Sequence, residues 1–397
     1  MLKSTDLLSF LAVELTSEKF YMLCEKNFSG IIMRSNQPKH RFLQSFLIGK
    51  YFFLLCTLLV MLSCSTDSEG QQEVADTYRL AIDSIMSSHS DFNGGVLITR
   101  DSTFLYSRMK GYADLEEKVD FQPNDLFVIG SISKQITAVL VLREWERGEF
   151  LLTDPIGKYL EDIPSDWTEV VSIHHLLTHT HGIVELDEPL VFEPGSQFQY
   201  SQLGYDLLAR ILEKVSGRSF KDLSEELFAE NKLFNTHHPD TEFIDNLVKG
   251  YGEADDDLQE VARSRSLRNY AAAGSFVSNL QDLNRWNYLL HTGKLVQDST
   301  LSLMRTAYAT RNHPIFEEVD YGYGLLFLEG ENGIQIGALG YAPGFVSASY
   351  YHPQTNISLV VLCNVARRLE DFPQTFNIHV ELMKYVKEIS FEGIESN

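Results

Sequence analysis

The segment Phe127–Phe150, FVIGSISKQITAVLVLREWERGEF, constrains the chain more than any other. From Ile132 onward, Ile136, Val139, Leu140 and Trp145 recur at the spacing of a helix with one buried face, and Gly148 supplies the stop. Ser131 then sits in the first turn, with Lys134 one turn later on the same side, because positions three apart on a helix are neighbours. A serine there meets free backbone N–H groups and the positive helix end, which favour developing negative charge. A half-buried lysine beside it can lose its proton and act as a base. A serine cap followed by a solvated lysine is the ordinary account of S-x-x-K, and the same string recurs at Ser107–Lys110 in a strand-like run. The motif therefore needs support from elsewhere.

The chain of 397 residues is long enough for one or two domains, and its 44% apolar and 22% charged composition excludes a disordered class. A net charge of −22 excludes the basic footprint that nucleic-acid binding requires. The first 64 residues differ from the rest. Met33–Cys64 carries Arg34, Lys39, Arg41 and Lys50 and no acid, then the apolar run Tyr51–Leu62, then Ser63-Cys64. This is the pattern of an export signal, and the apolar run is short for a membrane span. A cysteine at the cut, followed by the polar tether STDSEGQQ, resembles a bacterial lipoprotein signal. The expectation is lipidation at Cys64 and a place in the bacterial cell envelope, with an uncleaved anchor or a conventional cut as the alternatives. Residues 1–32 read as neither signal nor domain, which makes Met33 a candidate true start. Beyond Cys64 only Cys363 remains, within the buried-strand pattern ISLVVLCNV, so no internal disulfide is expected there.

Residues 65–74 read as the tether and 75–392 as one domain. EVADTYRLAIDSIMSSH is helix-like, and GGVLITRDSTFLYSRMKGYAD is a hairpin pattern around Arg100-Asp101-Ser102. From about 154 to 270 the pattern is mostly helical. Four strand candidates follow, YGYGLLFL, GIQIGAL, GFVSASYYH and ISLVVLCNV, and QTFNIHVELMKYVKEI closes as a helix. The simplest closure is an α/β fold of the α+β type. One antiparallel sheet, built from both ends of the chain and flanked by N- and C-terminal helices, would carry an inserted helical subdomain. The cleft between sheet and helical block is the expected place for a site.

No G-x-S-x-G occurs, which leaves a nucleophile elbow unsupported. His174, His175, His179 and His181 lie close together, but the Glu of H-E-x-x-H is missing. Packing and capping are the better account of these histidines, and neither metal nor cofactor is expected. Tyr200 follows a Pro-Gly turn and precedes a helical run.

Taken in order, LFVIGSISKQIT, IHHLLTHTHGI, PGSQFQYSQLGYDLLARILEKVSG, AAGSFVSNLQDLNRWNYLL, YGYGLLF and GALGYAPGFVSASYYHP resemble the serine β-lactamase and penicillin-binding-protein-like superfamily. The likeness is greatest to its class C β-lactamase-like branch of esterases and D-amino-acid peptidases, and it covers nearly all of Phe92–Asn364. The resemblance implies a β-lactamase/transpeptidase-like fold, with Ser131 as acylated nucleophile, Lys134 as its base and Tyr200 as proton relay. It also implies an oxyanion hole from the backbone N–H groups of Ser131 and Tyr341, with Gly340 and Gln202 beside the substrate.

Two positions depart from the family pattern. Gln202 replaces the Asn of the tyrosine motif, which moves the amide out by one methylene. Ala338-Leu339-Gly340 stands where the family carries Lys or His, a small or hydroxyl residue, and Gly. His291-Thr292-Gly293 resembles that triplet but follows a helix and reads as its C-cap. Loss of the strand cation favours an esterase or amidase acting on a neutral group, unless an Arg or His of the helical subdomain takes its place. Three readings follow. The first is a serine hydrolase working through an acyl-enzyme on a small-molecule or cell-wall-derived ester, amide or peptide. The second is a degenerate member that binds a ligand or peptidoglycan without turnover. The third is a true β-lactamase or D,D-carboxypeptidase.

Overall fold

Two continuous apolar runs, Gly94–Arg100 (β1) and Ile357–Cys363 (β8), pair antiparallel inside the sheet, with Val96 opposite Val361 and Ile98 opposite Leu359. Both strands are buried on both faces, so neither shows the apolar–polar alternation of a half-solvated sheet. A computed structural model describes residues 78–101, 103–241, 244–254, 257–267, 271–330 and 333–392. The export signal, Met33 and the lipidation candidate Cys64 lie outside the described residues. Among the described residues no helix is long and apolar enough to cross a membrane.

The strand partners of β1 and β8 are Thr103–Lys110 (β2), Ala309–His313 (β3), Glu317–Tyr321 (β4), Leu326–Leu328 (β5), Gln335–Ala342 (β6) and Phe345–His352 (β7). They form one eight-stranded antiparallel sheet in the order β2-β1-β8-β7-β6-β5-β4-β3. The sheet is thus assembled from both ends of the chain, as the sequence pattern implies. It separates two cores. On one face Val96, Ile98, Leu359 and Val361 pack with Ile82 and Met86 of the first helix, 78–88 (α1). Leu382 and Val386 of the last helix, Asn377–Glu392, join the same core. On the other face Leu97, Val360 and Leu362 pack with the helices between.

β3 and β4 have no counterpart in the sequence reading, which recognises only four strands near the C-terminus. The inward positions of β3 are Ala309, Arg311 and His313, so the run ATRNH lacks the apolar alternation that signals a strand. The 154–270 block is also less helical than its pattern suggests. It holds the helices Ile173–Leu177 (α3), Leu203–Ser216 (α4) and Phe220–Glu230 (α5), a long irregular stretch through residues 178–202, and a hairpin of Gly250–Ala254 with Asp257–Val261. Val365–Ala366 pairs parallel with that hairpin.

The opening segment forms a 3₁₀ turn, Gly130–Ile132, that runs into the helix Ser133–Glu146 (α2). This helix is buried on every side from Ser133 to Leu142, where the sequence suggests one buried face. It lies between the sheet-side core and α4, and an all-round buried helix has no amphipathic period to display.

The turn rests on β6 at two glycines. A Cβ on Gly130, whose φ is +57°, would come within 2.4 Å of the Tyr341 amide nitrogen. A Cβ on Gly340 would come within 2.2 Å of the Ile129 carbonyl oxygen and 2.3 Å of Ser347 Oγ. The Ser347 hydroxyl also donates to that carbonyl at 2.8 Å. Gly340→Ala is therefore expected to destabilise the protein by about 1–3 kcal/mol, the usual cost of overpacking. Urea denaturation would report this as a lower midpoint with an unchanged slope, and an unaltered midpoint would contradict the close approach.

Candidate active site

Ser131 makes no capping bond to the helix it precedes, and Lys134 is only 1% exposed, so the cap-and-solvated-lysine account fails. The other S-x-x-K has no such geometry. Lys110 donates to the carbonyls of Met86 and His89 at the end of α1, and Ser107 faces solvent on β2.

Lys134 Nζ lies 2.6 Å from Gln202 Oε1, 2.6 Å from the Ala273 carbonyl oxygen and 3.5 Å from Ser131 Oγ. A neutral amine has two N–H donors and one lone pair. Gln202 and Ala273 take both donors, which leaves the lone pair for the Ser131 hydroxyl. Burial holds the Lys134 amine below the ordinary lysine value; Tyr200 and Asp206 pull it back up, and the Arg311 charge pushes it further down. Asp206 is itself raised to about 6 by burial, against the pull of Lys134. The Tyr200 hydroxyl donates to Ser131 Oγ at 2.7 Å, and Lys134 Nζ lies 4.6 Å from the Tyr200 ring centroid. Ser131, Lys134, Tyr200 and Gln202 thus converge although they come from separate parts of the chain, and the longer Gln202 side chain still reaches the amine.

Tyr200 is held in place by His179, which the sequence reading leaves among packing residues. His179 adopts a left-handed φ of 58° and is fully buried. Its Nδ1 accepts from the Ser201 N–H at 3.2 Å, its carbonyl accepts from the Gln199 N–H at 2.8 Å, and its ring lies 4.6 Å from the Tyr200 ring. Nε2 meets the Tyr321 hydroxyl at 3.2 Å. The other three histidines act separately. His174 bonds Tyr323, His175 completes a capping box with Ser172, and His181 accepts from the Ile183 N–H.

Gly340 and Tyr341 stand against the turn that carries Ser131, through the two glycine contacts described above. Ser131, Tyr200, Gln202, Ala338 and Tyr341 line a cleft of about 260 Å³ together with the β3 residue Arg311. Ala338 offers no cation, as its sequence position implies. Arg311, a basic residue of that lining, stands on the edge strand of the sheet rather than in the helical subdomain. His291-Thr292-Gly293 plays no part. His291 ends the helix Leu280–His291, Gly293 follows with φ 68°, and the His291 ring stacks on Tyr351 at 4.7 Å.

A profile of the Beta-lactamase family matches residues 82–381. A penicillin-binding protein of Bacillus subtilis is 27% identical over 314 residues, which span 69% of this chain and 68% of that protein. The esterase EstB of Burkholderia gladioli is 32% identical over 171 residues, 34% of this chain and 43% of the esterase. In three dimensions the D-amino acid amidase of Ochrobactrum anthropi SV3 superposes with a TM-score of 0.68 over 82% of this chain and 100% of the amidase, at 20% identity. That likeness establishes the β-lactamase/transpeptidase-like arrangement of antiparallel sheet and helices. With the family profile matched over most of its length, the chain belongs to the Beta-lactamase family and is a serine hydrolase of that family.

Proposed function

We propose that the protein hydrolyses small-molecule or cell-wall-derived esters, amides or peptides through an acyl-enzyme on Ser131. The observation that carries this reading is the Ser131 hydroxyl held between the Tyr200 hydroxyl and a desolvated amine whose other donors are occupied. Ser131 Oγ attacks the substrate carbonyl carbon while its proton passes to Lys134 Nζ. The backbone N–H groups of Ser131 and Tyr341 receive the oxyanion, and one such donor contributes about 3–4 kcal/mol in the transition state. Collapse of the tetrahedral intermediate breaks the bond to the leaving group, which takes a proton from Tyr200; Lys134 returns one to Tyr200. Water then attacks the ester carbonyl and passes a proton to Lys134; the bond to Ser131 Oγ breaks, Lys134 returns the proton to Ser131, and the acid leaves. The names of the relatives, a penicillin-binding protein and an esterase, agree with acyl transfer and leave open which carbonyl compound is taken.

Fluorophosphonate labelling tests this reading. Ser131→Ala should abolish labelling and ester hydrolysis, whereas Ser107→Ala should keep most of both. Lys134→Met should slow acylation by a factor of about 10² or more. Full activity in Ser131→Ala would end the proposal, and labelling without turnover of any ester would favour a binding protein.

The pH dependence follows from the amine. Acylation should rise as Lys134 loses its proton and level off below the 10.5 of an ordinary lysine. Asp206 stabilises the protonated amine, so Asp206→Asn should move the inflection of the pH–rate profile to lower pH. An unmoved or raised inflection would show that Lys134 is not the titrating group.

We also place the protein in the bacterial cell envelope, anchored through a lipid on Cys64. The basic stretch, the apolar run and the cysteine before STDSEGQQ support this. A lipoprotein with several acyl chains binds stably where a single chain does not. A palmitate analogue should tag the wild type and leave Cys64→Ala untagged; wild-type protein recovered soluble and untagged would contradict the anchor.

A further inference from the structure

Tyr200 lies in a stretch without a hydrogen-bond ladder of its own. Residues 178–202 form neither helix nor strand, so the backbone groups beside Tyr200 need partners from elsewhere. His179 supplies them on both sides. Its carbonyl accepts from the Gln199 N–H at 2.8 Å, and its ring Nδ1 accepts from the Ser201 N–H at 3.2 Å. The two chain neighbours of Tyr200 are thus bonded to one residue. The ring of that residue packs on the Tyr200 ring, with centroids 4.6 Å apart.

The same ring is fastened to the sheet. A ring nitrogen that accepts a hydrogen bond carries no hydrogen, so a neutral His179 holds its hydrogen on Nε2. That N–H meets the Tyr321 hydroxyl at 3.2 Å, at the end of β4. Full burial, with the nearby Lys134 and Arg311 charges, holds the imidazole well below its ordinary value. An imidazolium would also turn a donor toward the Ser201 N–H. The backbone is set with equal care. A left-handed φ of 58° is uncommon outside glycine and persists only where the surroundings impose it. Here the Thr180 N–H bonds the His175 carbonyl at 2.9 Å, and the Gly195 N–H bonds the Thr180 carbonyl at 2.8 Å. In that conformation the carbonyl and the side chain of one residue both reach the 199–201 segment.

We propose that His179 is a positioning residue that holds the Tyr200 hydroxyl on Ser131 Oγ, and so extends the reaction to esters and amides whose leaving group needs a proton. This rests on the acyl-enzyme reading of Ser131. His179 is fully buried and is not among the residues lining the cleft, so it acts through Tyr200. The Tyr200–Ser131 distance of 2.7 Å is the usual length of an O–H···O bond. A displacement of about 1 Å breaks that bond, and misplacement on this scale costs up to about 10² in rate. An activated alcohol leaves as its anion and is little affected. An alkyl alcohol or an amine leaves only with a proton from Tyr200 and bears the full loss.

The test compares ethyl acetate with p-nitrophenyl acetate on the purified chain. The two share an acyl-enzyme and differ in the alcohol that leaves. His179→Leu removes both ring nitrogens and keeps most of the bulk. It should lower kcat/KM for ethyl acetate by about tenfold or more beyond its effect on p-nitrophenyl acetate, the same skew as Tyr200→Phe. Added to Tyr200→Phe, it should cost ethyl acetate hydrolysis little more, because both changes act on one proton. His179→Asn tolerates a left-handed backbone and offers an oxygen near the Nδ1 position, so it should recover part of the skew. Tyr321→Phe removes only the hydroxyl at Nε2 and should skew the ratio the same way by about threefold, which keeps the test decisive if His179→Leu does not fold. Equal losses on both esters, multiplying with Tyr200→Phe in the double variant, would overturn the proposal while leaving the hydrolase reading intact. A wild type that hydrolyses neither ester through Ser131 would defeat the hydrolase reading itself.

Discussion

The desolvated amine of Lys134 is the interaction on which the rest of the site depends. An ammonium removed from water is costly, so burial favours the neutral form, and a neutral amine is a base only if its lone pair is free. The Ala273 carbonyl and Gln202 secure that by accepting its two hydrogens. Burial in turn requires a helix covered on all sides, and α2 is so covered because the sheet-side core and α4 close over it. The chemistry at Ser131 is thus a consequence of where one helix sits. Its neighbour Thr137 fastens the same helix face to the Ala272 carbonyl at 2.6 Å, so the loop that holds the amine is tied to the helix that carries it.

A second constraint is the approach of two backbones. The Gly130 turn and the Gly340 strand meet with no room for a side chain at either position. That approach sets the Tyr341 amide against the turn that carries Ser131. The register that pairs Gly340 with Ser347 also brings the Ser347 hydroxyl onto the Ile129 carbonyl, so the turn is bonded to the strand as well as packed on it.

Charge is distributed to match. The surface is strongly acidic, and the described ion pairs bind arginines and lysines to carboxylates away from the cleft, as in Arg210–Asp162 and Lys249–Asp114. Arg311 stands apart from these pairs, held by rings instead of a counter-charge. His179 packs against the Tyr200 ring and is itself packed by the buried rings of Tyr205 and Tyr321. Burial raises the Tyr321 and Tyr205 phenols and lowers His179, so all three stay neutral and add no charge beside Tyr200.

The sequence by itself determined the parts whose signal is local. The spacing of Ser131 and Lys134, the hairpin at Asp101, the apolar runs of β1, β7 and β8, and the C-cap reading of Gly293 are each set by neighbours a few residues away. Their order along the chain was enough to suggest the family, and with it Tyr200, Gln202, Gly340 and Tyr341. Tertiary structure alone decided what depends on distant segments meeting. β3 carried no legible strand pattern because two of its inward residues, Arg311 and His313, are basic and line the cleft instead of filling the core. His179 looked like one of several packing histidines because its grip on the Tyr200 turn exists only after residues 178–202 fold back on themselves. Whether Lys134 was a solvated lysine or a desolvated base also lay beyond its helix. Burial is set by what packs on a side chain, and Gln202 and Ala273 lie 68 and 139 residues away.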